Sequence, residues 1–213
     1  MVSNNSFFDT NPENDFDGLS ERCIQLYNQG SLEDERFSEE EFEFLINHFI
    51  DELEDDIVYR LSTMSYIQHP YSFELTLRYA DILMSRDHFQ DSLTILNSLK
   101  NSYPYNSDLL FLLGKCYLKI DNKEEALLYF KNSISIPNES LIDIILSISQ
   151  EFIDTYDHNT ALQFLLEGEK LEPNNIELLN DIAFCYERCD KLSISLKYYN
   201  RYLDIDPFND NVW

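Results

Sequence analysis

The sequence predicts an all-α protein, an α-solenoid of antiparallel helix pairs, and three observations predict it. Prolines recur at Pro70, Pro104, Pro137, Pro173 and Pro207, 33 to 36 residues apart. Between them, apolar residues follow helical spacing in two stripes separated by a short polar turn. All four alanines of the chain fall in two columns of the repeating segment. A period of this length, two helices long, signals a stacked repeat. Only four glycines occur, too few for the tight turns of an all-β chain or for glycine-rich phosphate loops.

Taken in order, residues 1–38 are acidic and are expected to be largely flexible, apart from a short helix over 20–29 capped by Ser20 and stopped at Gly30. Segment 39–72 keeps the closing Pro70 and apolar Phe42, Leu45 and Phe49. It reads as a degenerate first repeat or a capping hairpin, with Ile46 and Val58 where later segments hold small residues. Ser38 followed by Glu41 forms a capping box that opens its first helix. Four further segments span 73–106, 107–141, 142–175 and 176–209. In 107–141, Leu110, Leu113, Tyr117 and Ile120 are answered across the polar "DNKEE" by Ala126, Phe130 and Ile134. The next two segments follow suit, with Ile145, Ile148 and Phe152 answered by Ala161 and Leu165, and Leu179, Ile182 and Tyr186 by Tyr199 and Leu203.

Small residues occupy fixed places. The eighth place holds Ala80, Gly114, Ser149 and Ala183, and the twentieth holds Ser92, Ala126, Ala161 and Ser195. Helices that cross closely admit nothing bulky at the crossing, and overpacking there costs roughly 1–3 kcal/mol. Leu110, Leu113, Gly114, Tyr117, Ala126, Phe130 and Pro137 resemble the consensus of the tetratricopeptide repeat family, with Leu in place of its Trp. The likeness covers 73–209, and it implies a right-handed superhelix. In this register Trp213 falls at the fourth place of a further repeat beginning at Asp210, the consensus tryptophan. Residues 210–213 are therefore expected to be the truncated start of another repeat in a longer protein. The uncapped end, with Tyr199, Tyr202, Leu203 and Ile205, is expected to self-associate or to be otherwise protected.

Charge narrows the partners. At −25 the chain repels nucleic acid and anionic bilayers, and the first third is the more acidic. No run approaches the roughly 18 apolar residues of a membrane span, and the opening lacks a secretory signal. A cytoplasmic setting is expected. Cys23, Cys116, Cys185 and Cys189 are too scattered for a disulfide framework and read as reduced, packed thiols. Cys185 and Cys189 lie one helical turn apart, but no second pair or neighbouring His completes a metal site. His48, His69, His88 and His158 are spread over separate segments and read as surface histidines, His88 and His158 within inter-helix turns. No cofactor, metal or nucleophile motif is found, so no catalytic activity is expected.

The resemblance implies that the first helix of each pair lines a concave groove. Its fifth places are Leu77, Phe111, Leu146 and Asn180, its ninth Asp81, Lys115, Gln150 and Phe184, and its twelfth Met84, Leu118, Ile153 and Glu187. The second place is acidic throughout: Glu40, Glu74, Asp108, Asp143 and Glu177. Lined along a groove edge, these carboxylates would attract a basic peptide; equally, they suit any helix's first turn against its dipole. One subfamily clamps a chaperone's terminal carboxylate with Lys, Asn and Arg. The matching places here hold Leu77, Asp81, Leu112, Asp143 and Ser147, which do not fit that role. The expected function is a non-catalytic scaffold that binds a peptide segment in the groove. The alternatives are a self-associating spacer, or the recognition part of a longer protein with a downstream functional domain.

Overall fold

A computed structural model describes Phe16, residues 18–137 and residues 139–206. Among the described residues every regular element is helical: α1 Leu19–Gln29, α2 Glu39–Asp51, α3 Asp55–Gln68, α4 Phe73–Ser85, α5 Phe89–Lys100, α6 Ser107–Lys119, α7 Lys123–Ile134, α8 Leu141–Asp154, α9 His158–Leu171, α10 Ile176–Arg188 and α11 Leu192–Ile205, with one 3-10 turn at Leu32–Asp34. No helix is long and apolar enough to cross a membrane among these residues. Two compact units divide between Ser98 and Leu99.

The first helix of each pair ends in the same way. Leu53, Asp87, Asp121, Tyr156 and Asp190 all lie in the left-handed region, at φ of 58° to 63°. The next N–H then donates five residues back, from Glu54 to Phe49, His88 to Leu83, Asn122 to Tyr117, Asp157 to Phe152 and Lys191 to Tyr186, at 2.8–2.9 Å. This bond satisfies a carbonyl the helix would leave orphaned and reverses the chain. Glycine usually takes the left-handed place; here Asp takes it three times, since its short polar side chain tolerates that conformation. Asn122 and Asp157 go on to cap the following helices by accepting the N–H of Glu125 and of Thr160.

In the first unit, Ser38 accepts the N–H of Glu41, whose carboxylate accepts the N–H of Ser38 at 2.7 Å, so α2 opens with the expected capping box. Two expectations need correction. Ser20 lies inside α1, which begins after Gly18 with no side-chain cap, while Gly30 at φ 69° closes it. Residues 19–37 are also far from loose. Leu19, Cys23, Leu32 and Phe37 are buried in one core with Phe42, Leu45, Phe49 and Leu61. The sequence hides this because four apolar residues scattered among acidic ones show no clean period. Ile46 and Val58 are buried at 1% and 6% exposure, so this pair encloses bulk where the later pairs use small residues.

The small-residue columns are interior. Ala80, Ser92, Ala126, Ser149, Ala161 and Ala183 are fully inaccessible. The Ser92 hydroxyl donates to the Ala80 carbonyl at 2.7 Å, joining the two columns directly. A Cβ on Gly114 would lie 2.5 Å from the Phe130 ring, so only glycine fits that crossing. In the second unit, α6 pairs with α7, α8 with α9 and α10 with α11, and α9 also packs on α10. Phe130, Phe152 and Phe164 form its centre, with ring centroids 5.8–6.3 Å apart, each pair adding about 0.5–1.5 kcal/mol beyond area burial. On α11 the expectation of exposure fails for Tyr202, buried at 6%; the open apolar residues are Leu192, Leu196 and Ile205. Trp213 and Pro207 lie outside the described residues.

Candidate functional site

The second unit leaves one face of α6, α8 and α10 incompletely covered. Neighbouring contacts join α6 to α8 and α8 to α10. On α10, Leu178, Leu179, Ile182, Ala183 and Cys185 turn into the core, which leaves Glu177, Asn180, Asp181, Phe184 and Arg188 on the other side at helical spacing. On α8, Ile144, Ile145, Ile148 and Phe152 are buried, and Asp143, Leu146, Gln150 and Ile153 remain accessible. On α6, Asp108 is exposed, and Phe111, Lys115 and Leu118 are half-buried.

Five of the predicted groove residues share this setting: Phe111, Leu118, Leu146, Ile153 and Phe184 all pack half-buried against the same core cluster. They are half core and half surface. Lys115 has a partner within the chain: its ammonium lies 3.9 Å from Glu151, which also takes Lys119 at 2.8 Å, tying α6 to α8. The Gln150 amide donates to Asp154 at 2.6 Å. Leu77, Asp81 and Met84 belong to α4 of the first unit. Leu77 and Asp81 are half-buried, but Met84 keeps only 4% exposure. Met84 therefore fills an interior gap, a use to which its unbranched side chain is suited, and it does not face outward.

A cleft of about 490 Å³ opens at one end of this face, lined by Ile153, Asp154, Tyr156, His158, Phe184 and Arg188. The Arg188 guanidinium lies 4.9 Å from the Phe184 ring centroid, and the His158 ring meets the same Phe edge-on at 5.8 Å. His158 was expected in a turn at the surface; it opens α9 and is half-buried, and its Nδ1 is shielded from solvent with no hydrogen-bond partner among the described residues. Tyr156, 85% exposed, stands in the left-handed turn place that Asp fills at positions 87, 121 and 190. That break in the column is visible in the sequence and would have pointed here.

Sequence reasoning also passed over Asp181. Burial pushes its carboxyl above the usual range; the Asn180 amide, donating at 3.3 Å, opposes this, and the negative field of Glu177 adds to it. No cation pairs with Asp181 among the described residues. By contrast, Cys185 of the one-turn cysteine pair is inert. Burial first, then the fields of Asp181 and Cys189, pushes the Cys185 thiol up to about 12, and a thiol so firmly protonated is a poor nucleophile and metal ligand. No group of three His, Cys, Asp or Glu side chains is placed to hold a metal ion among the described residues.

Residues 107–139 match the family model described as tetratricopeptide repeat. Mouse tetratricopeptide repeat protein 8 is 28% identical over 154 residues, covering 69% of this chain and 28% of that protein. A Drosophila melanogaster BBSome complex member BBS4 homolog is 23% identical over 146 residues, covering 68% of this chain and 30% of that protein. The chain thus spans under a third of the length of these relatives. Among solved structures, a thermophilic TPR protein of Thermus thermophilus, TTC0263, superposes with a TM-score of 0.62 at 17% identity, covering 82% of this chain and 95% of that one.

Proposed function

We propose that the chain, whose residues 107–139 match the tetratricopeptide repeat model, is a non-catalytic scaffold that holds a basic segment of a partner protein on the α6, α8 and α10 face of its second unit. The observation that carries this reading is Asp181. A half-buried carboxylate without a counter-cation is costly, and one pushed up by burial marks a place where a cationic side chain would gain most. On the same helix stand half-buried Phe184 and exposed Glu177, while α8 carries half-buried Leu146 and Ile153 with exposed Asp143, and α6 carries exposed Asp108. An extended segment carrying Lys or Arg next to an apolar residue satisfies both sets. The open cleft at Phe184 and His158 would seat the apolar side chain, and a polar group there would give His158 Nδ1 its partner.

Protein assembly as the general role is supported by the relative that is, by name, a member of the BBSome complex. Four free cysteines, three of them buried, support a reducing, cytoplasmic setting. A second reading rests on a separate observation: Leu192 and Leu196, at 60% and 61% exposure, stand one turn apart on α11 and offer a face for self-association.

Fluorescence anisotropy with a panel of labelled Lys/Arg-rich peptides separates the two. On the groove reading, Phe184→Asp and Asp181→Asn each weaken the best peptide about tenfold or more, affinity falls as salt rises, and Leu196→Asp changes nothing. Affinity that is indifferent to salt and to both α10 changes, together with a dimer dispersed by Leu196→Asp, favours the spacer reading.

A further inference from the structure

The first unit is poor in positive charge. Up to Ser98 it holds five basic side chains, Arg22, Arg36, Arg60, Arg78 and Arg86, and no lysine. Three of the five converge. Arg36, Arg60 and Arg86 line a cleft of about 570 Å³ with Tyr27, Tyr59 and Ile67, formed by α1, the loop after the 3-10 turn, one face of α3 and the end of α4. No feature of the repeat register calls for this gathering, since the arginines come from three different elements.

The cleft is preorganised. The Arg60 guanidinium lies 5.4 Å from the Tyr27 ring centroid, and that of Arg86 lies 4.6 Å from Tyr59, where cation–π attraction holds each in place. The loop carrying Arg36 is fastened to the end of α3 on both sides. The Gln68 amide donates to the Glu35 carbonyl at 2.9 Å and accepts the Phe37 N–H at 3.3 Å, and a His69 ring nitrogen meets the Phe37 carbonyl at 2.8 Å. Glu33 accepts from Arg60 and Asp56 from Arg86, each through a single guanidinium nitrogen. A guanidinium carries five N–H donors, so most of them remain open, and Arg36 makes no ion pair among the described residues. Three cations facing two carboxylates leave one positive charge unmatched. That balance favours a monoanionic carboxylate over a phosphate dianion. The volume and the apolar edge at Ile67, 68% exposed, also exceed what a small inorganic anion would fill.

We propose that this cleft captures an acidic segment of a partner protein, seating an Asp or Glu carboxylate on Arg36, Arg60 and Arg86 and an adjacent apolar side chain against Tyr59 and Ile67. Arginine forks suit such planar, charge-assisted recognition. The site is separate from the α10 face and of opposite charge preference, so one chain could hold two unlike segments. The test is calorimetric titration of the full chain with the capped peptide acetyl-Glu-Glu-Phe-Glu-amide, its all-Gln counterpart, and inorganic phosphate. The expected result is saturable binding of the Glu peptide alone, weakened about tenfold by Arg36→Gln, the loss of one charge-assisted contact, and unchanged by Phe184→Asp. Arg36 is exposed and makes no ion pair among the described residues, so its replacement leaves the fold intact, which circular dichroism checks. Equal binding of the Gln peptide, displacement by phosphate at the same concentration, indifference to Arg36→Gln, or no binding of the Glu peptide at millimolar concentration each overturns the proposal.

Discussion

Leu53 and Tyr156 occupy a backbone conformation that L residues with bulky side chains avoid, at φ 59° and 61°. The left-handed region costs such a residue roughly 1–2 kcal/mol. Leu53 is 84% exposed, so its side chain contributes little packing in return. Leu53→Gly is therefore expected to stabilise the protein by about 0.5–1 kcal/mol, after the greater freedom of glycine in the unfolded chain is subtracted. Asp87→Gly should gain less, because Asp tolerates this region; thermal melts of the two variants check the order. Asp181 makes a second prediction. Its carboxyl is raised above the ordinary 3.8 in the folded protein, chiefly by burial, so the fold favours the protonated form. Stability from this group is present at low pH and is lost as pH rises from 3.8 through the raised value. Asp181→Asn should accordingly stabilise the free protein at neutral pH and give no gain near pH 3, while weakening binding of a basic peptide. Denaturant titrations at the two pH values read the difference.

At the scale of helices, the crossing of α6 and α7 is set by one pair. Gly114 sits against Phe130, and any Cβ would drive into the ring. Gly114→Ala should destabilise by roughly 1–3 kcal/mol, and adding Phe130→Leu should recover part of that loss, since Ala80 and Ser149 have Leu96 and Leu165 in the same register. A double-mutant cycle on denaturation midpoints measures the coupling. The crossings were legible in the sequence because small residues are scarce and fall in column. The turns were legible only as polar breaks. Their shared left-handed residue went unread because Asp fills the place in only three of the five turns, and what recurs in all five is a backbone angle. Packing of residues 19–37 went unread for a related reason, since Cys23, Leu32 and Phe37 meet the core through tertiary contacts that leave no local period.

For the molecule, the net charge of −25 disfavours polyanionic surfaces as partners in bulk, yet it conceals local structure. Three arginines line one cleft in the first unit, and in the second the half-buried Asp181 stands one turn from half-buried Phe184 on α10. The repeat register places Phe111, Leu146, Ile153 and Phe184 on the first helices of their pairs, where they are half-buried against one core cluster; their binding role belongs to the proposal. Met84 was misplaced because register alone does not say which side of a helix a neighbour covers. The pairing of Lys115 was missed because its partner Glu151 lies on another helix. The cleft at Tyr156 and His158 is assembled across a turn and three helices, a juxtaposition that only three dimensions reveal. The proposed scaffold holds a basic partner segment on α6, α8 and α10. Amide chemical-shift mapping of the isotope-labelled chain with a saturating Lys/Arg-rich peptide tests this most directly. Binding on that face predicts perturbations concentrated at Phe111, Leu146, Ile153, Asp181 and Phe184; shifts confined to α7, α9 and α11, or none at saturation, would contradict it.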